Sequence, residues 1–406
     1  MVIIEDMETR RRLGVAKIAL MAVGVVALMG LVAVGCFLVL FNSRDGSVVK
    51  DTMLEPEPLR PVVIGGEMRI LMAGTTFWGR RTHKLAQASE LGVQYPFSQL
   101  GTLQRENYDA WIAGLECPVT NNGHTDYNEN TLLKFNCDPD YLPEAAKWFS
   151  AFLLGTNHTD NWGVEGFAET KQHLDGAGIQ YFGSYDYADG VNNCEVLILP
   201  VRLSYDDDSE KTIQMPFGFC SAHGVFGIPT ETALLNIKRY AEVLPTIVMP
   251  HMGAEYKTAA DGIRTNLFRK MIDYGADMVI ADHPHWIQNA EAYKGRLIVY
   301  SMGNFMFDQS VAETVRSAAI EATASFDETI DFEAWDDLGR DCLKDKVGCF
   351  ENIVKAGARK LELAWEFDYR GTTTAGNCIT RLASEAEQVA IGQRLGWAAA
   401  MSGLNK

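Results

Sequence analysis

Seven short apolar runs, MRILMAG, DAWIAGLE, AFLLGTN, CEVLILPV, PTIVMPH, ADMVIADH and RLIVYSMGN, recur between Met68 and Asn304. Each is short and bounded by glycine, proline or polar residues, so they read as buried strands. Helix-period segments separate them. In GVEGFAETKQHLDGAG the residues Val164, Phe167, Leu174 and Ala177 predict one helical face with Gly178 as its stop, and in DGIRTNLFRKMIDYGAD the residues Ile263, Leu267, Met271 and Tyr274 predict another, closed by Gly275. Strands alternating with helices specify an α/β domain. In such a domain the loops at the carboxyl ends of the strands converge on one crevice, so residues remote in sequence can meet there.

The ionisable residues fall at those ends. LECP brings Glu116, GTNHTDNWG brings Asn157 and His158, MPHMG brings His251, and ADHPH brings Asp282, His283 and His285. Taken singly, a histidine after a strand is more often a hydrogen-bonded structural residue than a ligand, Glu116 is as easily a turn cap, and Asn157 can stabilise its own loop. Taken together, four loops offering imidazole and carboxylate groups suit a divalent ion such as manganese, iron or zinc. Trp78, Trp162 and Trp286 lie beside these residues, and packing is the commoner use of tryptophan.

The 24 uncharged positions from Ile18 to Phe41 exceed the ~20 that a helix needs to cross a bilayer core, and predict one transmembrane helix. Arg10, Arg11, Arg12 and Lys17 precede it, so the N-terminus is expected in the cytoplasm and the rest of the chain outside it. A cleaved signal peptide and a lipoprotein cleaved before Cys36 are the alternatives. The expected organisation is a cytoplasmic tail (1–17), a transmembrane helix (18–41), a linker (42–66) and one domain (67–406) carrying an acidic surface insertion near 326–352. YDDDSEK, Tyr205 to Lys211, reads as a solvated hairpin turn, since the other ligands of a calcium loop are missing. Seven cysteines follow the apolar run, too many to pair completely within one chain, and Cys342 with Cys349 is the first expected disulfide. A net charge of −17 argues against nucleic acid as a partner, and an anionic ligand would need a local cation.

The blocks GLECPVT, GTNHTDNWGVEGFAETKQHLDGAGIQYFG, PHMGAEY and GADMVIADHPHWIQNAEAYKGRLIVYSMGNFMFD resemble, in order, those of CapA-type capsule-synthesis proteins, which take part in poly-γ-glutamate production and surface attachment. The resemblance runs from about Glu67 to Asp308. It implies a calcineurin-like metallophosphoesterase fold, a four-layer αββα sandwich. It also implies a membrane-anchored, outward-facing protein whose partners are a surface polymer or its precursor, the membrane, and other capsule-synthesis membrane proteins.

Several positions depart from the family pattern. Thr75 stands where the family has an aspartate after its first strand, Gly114 where it has an asparagine, Asn161 where it has an aspartate, and Asp282 where it has a histidine. His251 and Glu255 match the family's His-x-Gly-x-Glu block, and Arg80 matches an arginine after the first strand. With Thr75 neutral, one ion held by Glu116, Asn157, His251 and His283 or His285, with Asp282 as a substitute carboxylate, is easier to support than two ions ~3.5–4 Å apart. The resemblance makes His158 the acid for a leaving oxygen, with Glu116 beside it. Arg80, Glu255 and Asn304 become substrate contacts, with an Arg80–Glu255 ion pair and a turn-shaping Asn304 as the structural alternatives. Two functions remain open: a metal-dependent hydrolase or transferase acting on a surface polymer or its phosphorylated precursor, and a non-catalytic scaffold with a degenerate site.

Overall fold

The structure is a computed structural model that describes residues 61–121 and 133–404. The apolar run Ile18–Phe41 and most of the expected linker lie outside the described residues, and among the described residues no helix is long and apolar enough to cross a membrane.

Among the described residues fourteen strands form one sheet: β1 (Val63–Thr76), β2 (Ala110–Leu115), β3 (Ala151–Leu153), β4 (Gln180–Phe182), β5 (Cys194–Tyr205), β6 (Glu210–His223), β7 (Thr246–His251), β8 (Met278–Ile280), β9 (Ala290–Tyr293), β10 (Arg296–Val299), β11 (Asn304–Met306), β12 (Arg316–Phe326), β13 (Ala364–Thr374) and β14 (Thr380–Leu382). The main path runs β14-β13-β12-β1-β5-β6-β7-β8-β10-β9. It forks at β1, whose first half pairs antiparallel with β5 and whose second half pairs parallel with β2, leading on to β3 and β4. Strands β1, β2, β3 and β4 are mutually parallel, as are β6, β7, β8 and β10. The fold is thus mixed α/β. The first strand begins at Val63, ahead of the expected domain start at Glu67.

Burial explains which strands were legible. The residues of β2 and β7 are buried throughout, as expected for parallel strands covered on both faces, and they read as unbroken apolar runs. Strand β12 is almost as buried but is largely alanine and serine, which carry no strong strand signal. Its place in the sheet comes from its antiparallel pairing with β1 on one side and β13 on the other.

The helices α1 (Arg80–Gln87), α2 (Gly163–Ala177), α3 (Glu231–Ala241) and α4 (Gly262–Asp273) lie between strands. Both expected helices form, and most of each expected stripe packs on the core, Phe167, Leu174 and Ala177 in α2 and Leu267, Met271 and Tyr274 in α4. In α2 the buried positions are Gly166, Thr170 and Leu174, while Val164 is exposed. In α4 they are Arg264, Phe268, Met271 and Ile272, while Ile263 is exposed. Gly178 closes α2 in the left-handed region at φ 71°, as expected of a helix stop.

The acidic segment folds as α5 (Phe332–Lys344) and α6 (Cys349–Lys355), clipped together by the expected Cys342–Cys349 disulfide. It is more than a solvated insertion: Phe332, Trp335, Phe350 and Ile353 join the main core, and Gly339 packs so closely on the β6 backbone that a Cβ there would come within 1.9 Å of the Gln214 carbonyl oxygen. Cys117–Cys137 and Cys194–Cys220 are also bonded, leaving Cys378 free and buried. Tyr205–Lys211 forms the tip of the β5–β6 hairpin, as expected.

Candidate metal centre

The parallel strands deliver their last residues to one place. Glu116 follows β2, with its N–H donating to the Thr76 carbonyl at 3.0 Å. His251 ends β7, and Asp282 and His283 follow β8. Asn157 follows β3. Glu116, His251 and His283 are buried and offer ligand atoms all within 4.8 Å of one another. Two of the histidines sit on strained backbone, His283 at φ 99° and His285 at φ 59°, a conformation that costs a non-glycine residue about 1–3 kcal/mol and concentrates at functional sites.

The hydrogen bonds assign donors and acceptors. His251 Nδ1 donates to Asp282 Oδ1 at 2.6 Å, which leaves Nε2 with a lone pair. That lone pair faces Asn157 Oδ1 at 2.8 Å and His283 Nδ1 at 3.3 Å. Glu116 Oε2 is buried with no hydrogen-bond partner among the described residues. A carboxylate oxygen left bare beside two imidazoles, with the His251 Nε2 lone pair set against an amide oxygen, is an arrangement that a cation satisfies. The triad Glu116, His251 and His283 therefore fits a metal site.

Asp282 lies behind this triad. Its Oδ1 holds His251 and its Oδ2 accepts from the Thr75 hydroxyl at 3.2 Å. Gly114 makes room for it, since a Cβ at 114 would lie 2.5 Å from Asp282 Oδ2. Three of the four positions that depart from the family pattern, Thr75, Gly114 and Asp282, thus meet at a single carboxylate. Its place is that of an orienting partner, which fixes the tautomer of a liganding imidazole.

His285 is not part of the triad. Its Nδ1 donates to Asn304 Oδ1 at 2.7 Å, while Asn304 Nδ2 donates to the Thr314 carbonyl at 3.1 Å and to Gln309 Oε1 at 3.0 Å. Asn304 is therefore a fully buried support for His285. His158 stacks on Phe135 at 3.7 Å between ring centroids, with Nδ1 2.9 Å from Asn161 Oδ1 and Nε2 3.9 Å from Glu116 Oε1. The Phe135 N–H also donates to Asn161 Oδ1, at 2.6 Å, which fixes that amide as an acceptor for His158.

Arg80 pairs with Asp308, not with Glu255: its Nε donates at 3.0 Å and its Nη2 makes a second bond to the same carboxylate. Its guanidinium also lies 4.2 Å from the Phe135 ring centroid. Glu255 is exposed on the loop after β7. Sequence reasoning passed over Asp308, although it closes the FMFD motif. It also passed over His223, the last residue of β6, in register with His251 on the neighbouring parallel strand. His223 is buried, donates from Nδ1 to the Tyr185 carbonyl, and leaves Nε2 without a partner among the described residues. The only sequence signal for it was a histidine at a strand end, the same signal that marked His251.

Burial sets the protonation of the cluster. It pushes the Glu116 carboxyl well above its usual range, reinforced by the charges of Asp282 and Glu255, and pushes Asp282 up to about 7. It lowers His251 and His283 well below the usual histidine value, with neighbouring imidazoles adding to the effect. Burial likewise lowers His158 to about 4, against the opposing bond to Asn161. Burial thus works against charge on every member of the cluster, and a cation offsets that by favouring the deprotonated ligands that metal binding needs.

A family model described as bacterial capsule synthesis protein PGA_cap matches residues 69–309. The chain belongs to this family. Among relatives of this PGA_cap member, the PGA biosynthesis protein CapA of Bacillus subtilis (strain 168) is 30% identical over 191 residues, covering 43% of this chain and 46% of that protein. The capsule biosynthesis protein CapA of Bacillus anthracis is 24% identical over 265 residues, covering 63% of each. The chain spans less than two thirds of the length of these curated relatives. The crystal structure of TT1561 of Thermus thermophilus superposes with a TM-score of 0.31 at 11% identity, over 62% of this chain and 93% of that one, too loose a likeness to carry an argument.

Proposed function

We propose that this capsule-synthesis family member is a membrane-anchored, extracytoplasmic protein that acts in the synthesis or attachment of a surface polymer of the poly-γ-glutamate type, through a single-ion, hydrolase-like site on a metallophosphoesterase-like sandwich. The observation that carries this reading is the bare, buried Oε2 of Glu116 beside the imidazoles of His251 and His283. The disulfides support placement outside the cytoplasm, since such bonds persist in oxidising compartments. The names of the CapA relatives support the polymer.

A divalent manganese, iron or zinc ion held by Glu116, His251 and His283, with Asn157 as a further oxygen donor, would supply Lewis acidity toward a substrate oxygen. The protein's own groups do the rest. Asp282 keeps His251 Nδ1 protonated and its Nε2 aimed at the triad. His158, anchored through Nδ1–H to Asn161, carries a lone pair at Nε2, the atom nearest Glu116, where it can accept a proton from an attacking water and pass it to a leaving oxygen. His285, fixed by Asn304 Oδ1, presents its other nitrogen as an acceptor.

Elemental analysis of the purified full chain beside a His251→Ala, His283→Ala double variant tests the reading. One equivalent of divalent metal in the parent and none in the variant is expected. Equal content in both would support the second reading, a scaffold of a polymer-synthesis complex. That reading is favoured by one observation: Thr75, a neutral hydroxyl, stands at the β1 terminus where a second cation would need a carboxylate.

A further inference from the structure

The chain runs on from His251 into the loop between β7 and α4, and the loop between β8 and β9 carries His283 and His285. Four residues of these two loops lie in left-handed backbone: Gly253 at φ 119°, Tyr256 at φ 57°, His283 at φ 99° and His285 at φ 59°. Three of the four are not glycine, and such a conformation persists only where the surrounding contacts over-determine it. Backbone bonds join the two loops twice, from the Met252 N–H to the Asp282 carbonyl at 3.3 Å and from the Tyr256 N–H to the Pro284 carbonyl at 2.9 Å.

Two buried side chains make the third join. Gln288 is fully buried, donates from Nε2 to the Lys257 carbonyl at 2.9 Å and accepts at Oε1 from Arg264 Nη1 at 3.1 Å. Its own N–H donates to the Ser301 carbonyl at 3.0 Å, just beyond β10, which fixes it to the sheet. Arg264 is 4% exposed and donates from Nη2 to the Ala259 carbonyl at 3.4 Å and from Nε to Asp261 Oδ2 at 3.2 Å. One guanidinium and one amide thus hold three points of the first loop, at 257, 259 and 261, against the second. The guanidinium rests on Gly253, two residues from His251, where a Cβ would lie 2.5 Å from Arg264 Cζ and 2.7 Å from its Nε. The glycine of the His-x-Gly-x-Glu block is therefore the seat of Arg264.

Charge pairing does not account for this arginine. Its carboxylate partner, Asp261, has a side chain 53% exposed and already caps α4 by accepting from the Arg264 N–H at 2.9 Å, and an exposed pair contributes little. Taking a guanidinium out of water is unfavourable unless its donors are used, and here they are used to span loops. A planar fork reaches a side-chain amide and a backbone carbonyl at once, which an ammonium on a flexible stem does not.

We propose that Arg264 and Gln288 are positioning residues of the metal centre, a clamp that fixes the spacing of His251 and His283 without touching either imidazole. The proposal rests on the reading of Glu116, His251 and His283 as a metal site.

Isothermal titration of zinc into the metal-free full chain, well below its melting temperature, tests the clamp together with the visible absorption spectrum of the cobalt complex. The parent is expected to bind one equivalent. Gln288→Met and Arg264→Lys should each keep that stoichiometry, bind zinc about tenfold more weakly and shift the cobalt spectrum, as loss of an orienting partner does. Because Arg264→Lys keeps the charge, its loss of affinity assigns the effect to the fork. The two substitutions combined should weaken binding no further than the stronger single one, since they break one unit. Asn236→Ala on α3 is the control: it removes buried bonds to the Val191 carbonyl and Asn193 Oδ1, outside both loops, and should lower the melting temperature with affinity and spectrum unchanged. If Gln288→Met does not fold, Gln288→Glu, which keeps an acceptor for Arg264 and loses the donor to Lys257, carries the same comparison. Variants that melt lower yet bind zinc as tightly as the parent, with its cobalt spectrum, would overturn the clamp and leave the metal site standing. Additive losses in the double variant would overturn it as well. A parent that binds neither zinc nor cobalt would overturn the metal site and the clamp together.

Discussion

At the scale of single residues, the centre is governed by how burial treats charge. His158 titrates near 4 in the fold against the ordinary value of 6.5, because burial removes the water that stabilises its cation. Above pH 6.5 the imidazole is neutral in both folded and unfolded chains and contributes no pH dependence. As the pH falls from 6.5 to about 4 the unfolded chain takes up a proton that the folded one refuses, so the stability present above 6.5 is progressively lost. Melting temperatures of the parent and a His158→Gln variant, measured from about pH 7 down to about pH 4, should therefore converge or cross, with the parent falling more steeply. Parallel curves would show that His158 is not held neutral by the fold. His158, His251 and His283 were legible from their positions at strand ends. His223 and Asp308 were not, because a histidine at the end of β6 and an aspartate after β11 acquire meaning only from what stands next to them.

At the scale of elements, the departures from the family pattern were visible as isolated changes, and their joint sense emerged from strand register. Thr75 pairs with Gly114 across β1 and β2, and Asp282 bridges to His251 from the next strand end. The carboxylate absent from position 75 is therefore balanced by one that enters from position 282 through the space Gly114 leaves. The helix faces follow the expected apolar stripes except at their first positions: Val164 and Ile263 are exposed, and the buried faces also take in Gly166 and Arg264. Close packing favours the small residue, and Arg264 is satisfied by Gln288 Oε1 at 3.1 Å. The segment after β2 is tethered by Cys117–Cys137, 20 residues apart, one bond from Glu116 and two residues from Phe135. Replacing both cysteines by serine should cost ~3 kcal/mol of unfolding free energy in a denaturant titration. It should also weaken metal retention, since the loop that holds Phe135 against His158 is released. A variant with unchanged stability would show that the loop is held by other contacts.

At the scale of the whole molecule, a cation held by the folded state alone must stabilise it. Adding manganese or zinc at about a hundredfold excess over its dissociation constant should raise the unfolding free energy by about 2.7 kcal/mol. The gain should disappear in the presence of a chelator. No shift for any of these ions would count against the triad as a metal site.

The sequence by itself determined the α/β class, the strands that are apolar throughout and the strand ends from which the chemistry comes, because these depend on local periodicity and on residues adjacent in the chain. Tertiary structure alone decided that Glu116, His251 and His283 share one space while His285 belongs with Asn304, that Arg80 takes Asp308 as its partner, and that Asp282 stands behind His251. Those choices depend on distances between strands that are far apart in sequence. Register and packing, which set such distances, are written in no single stretch of it.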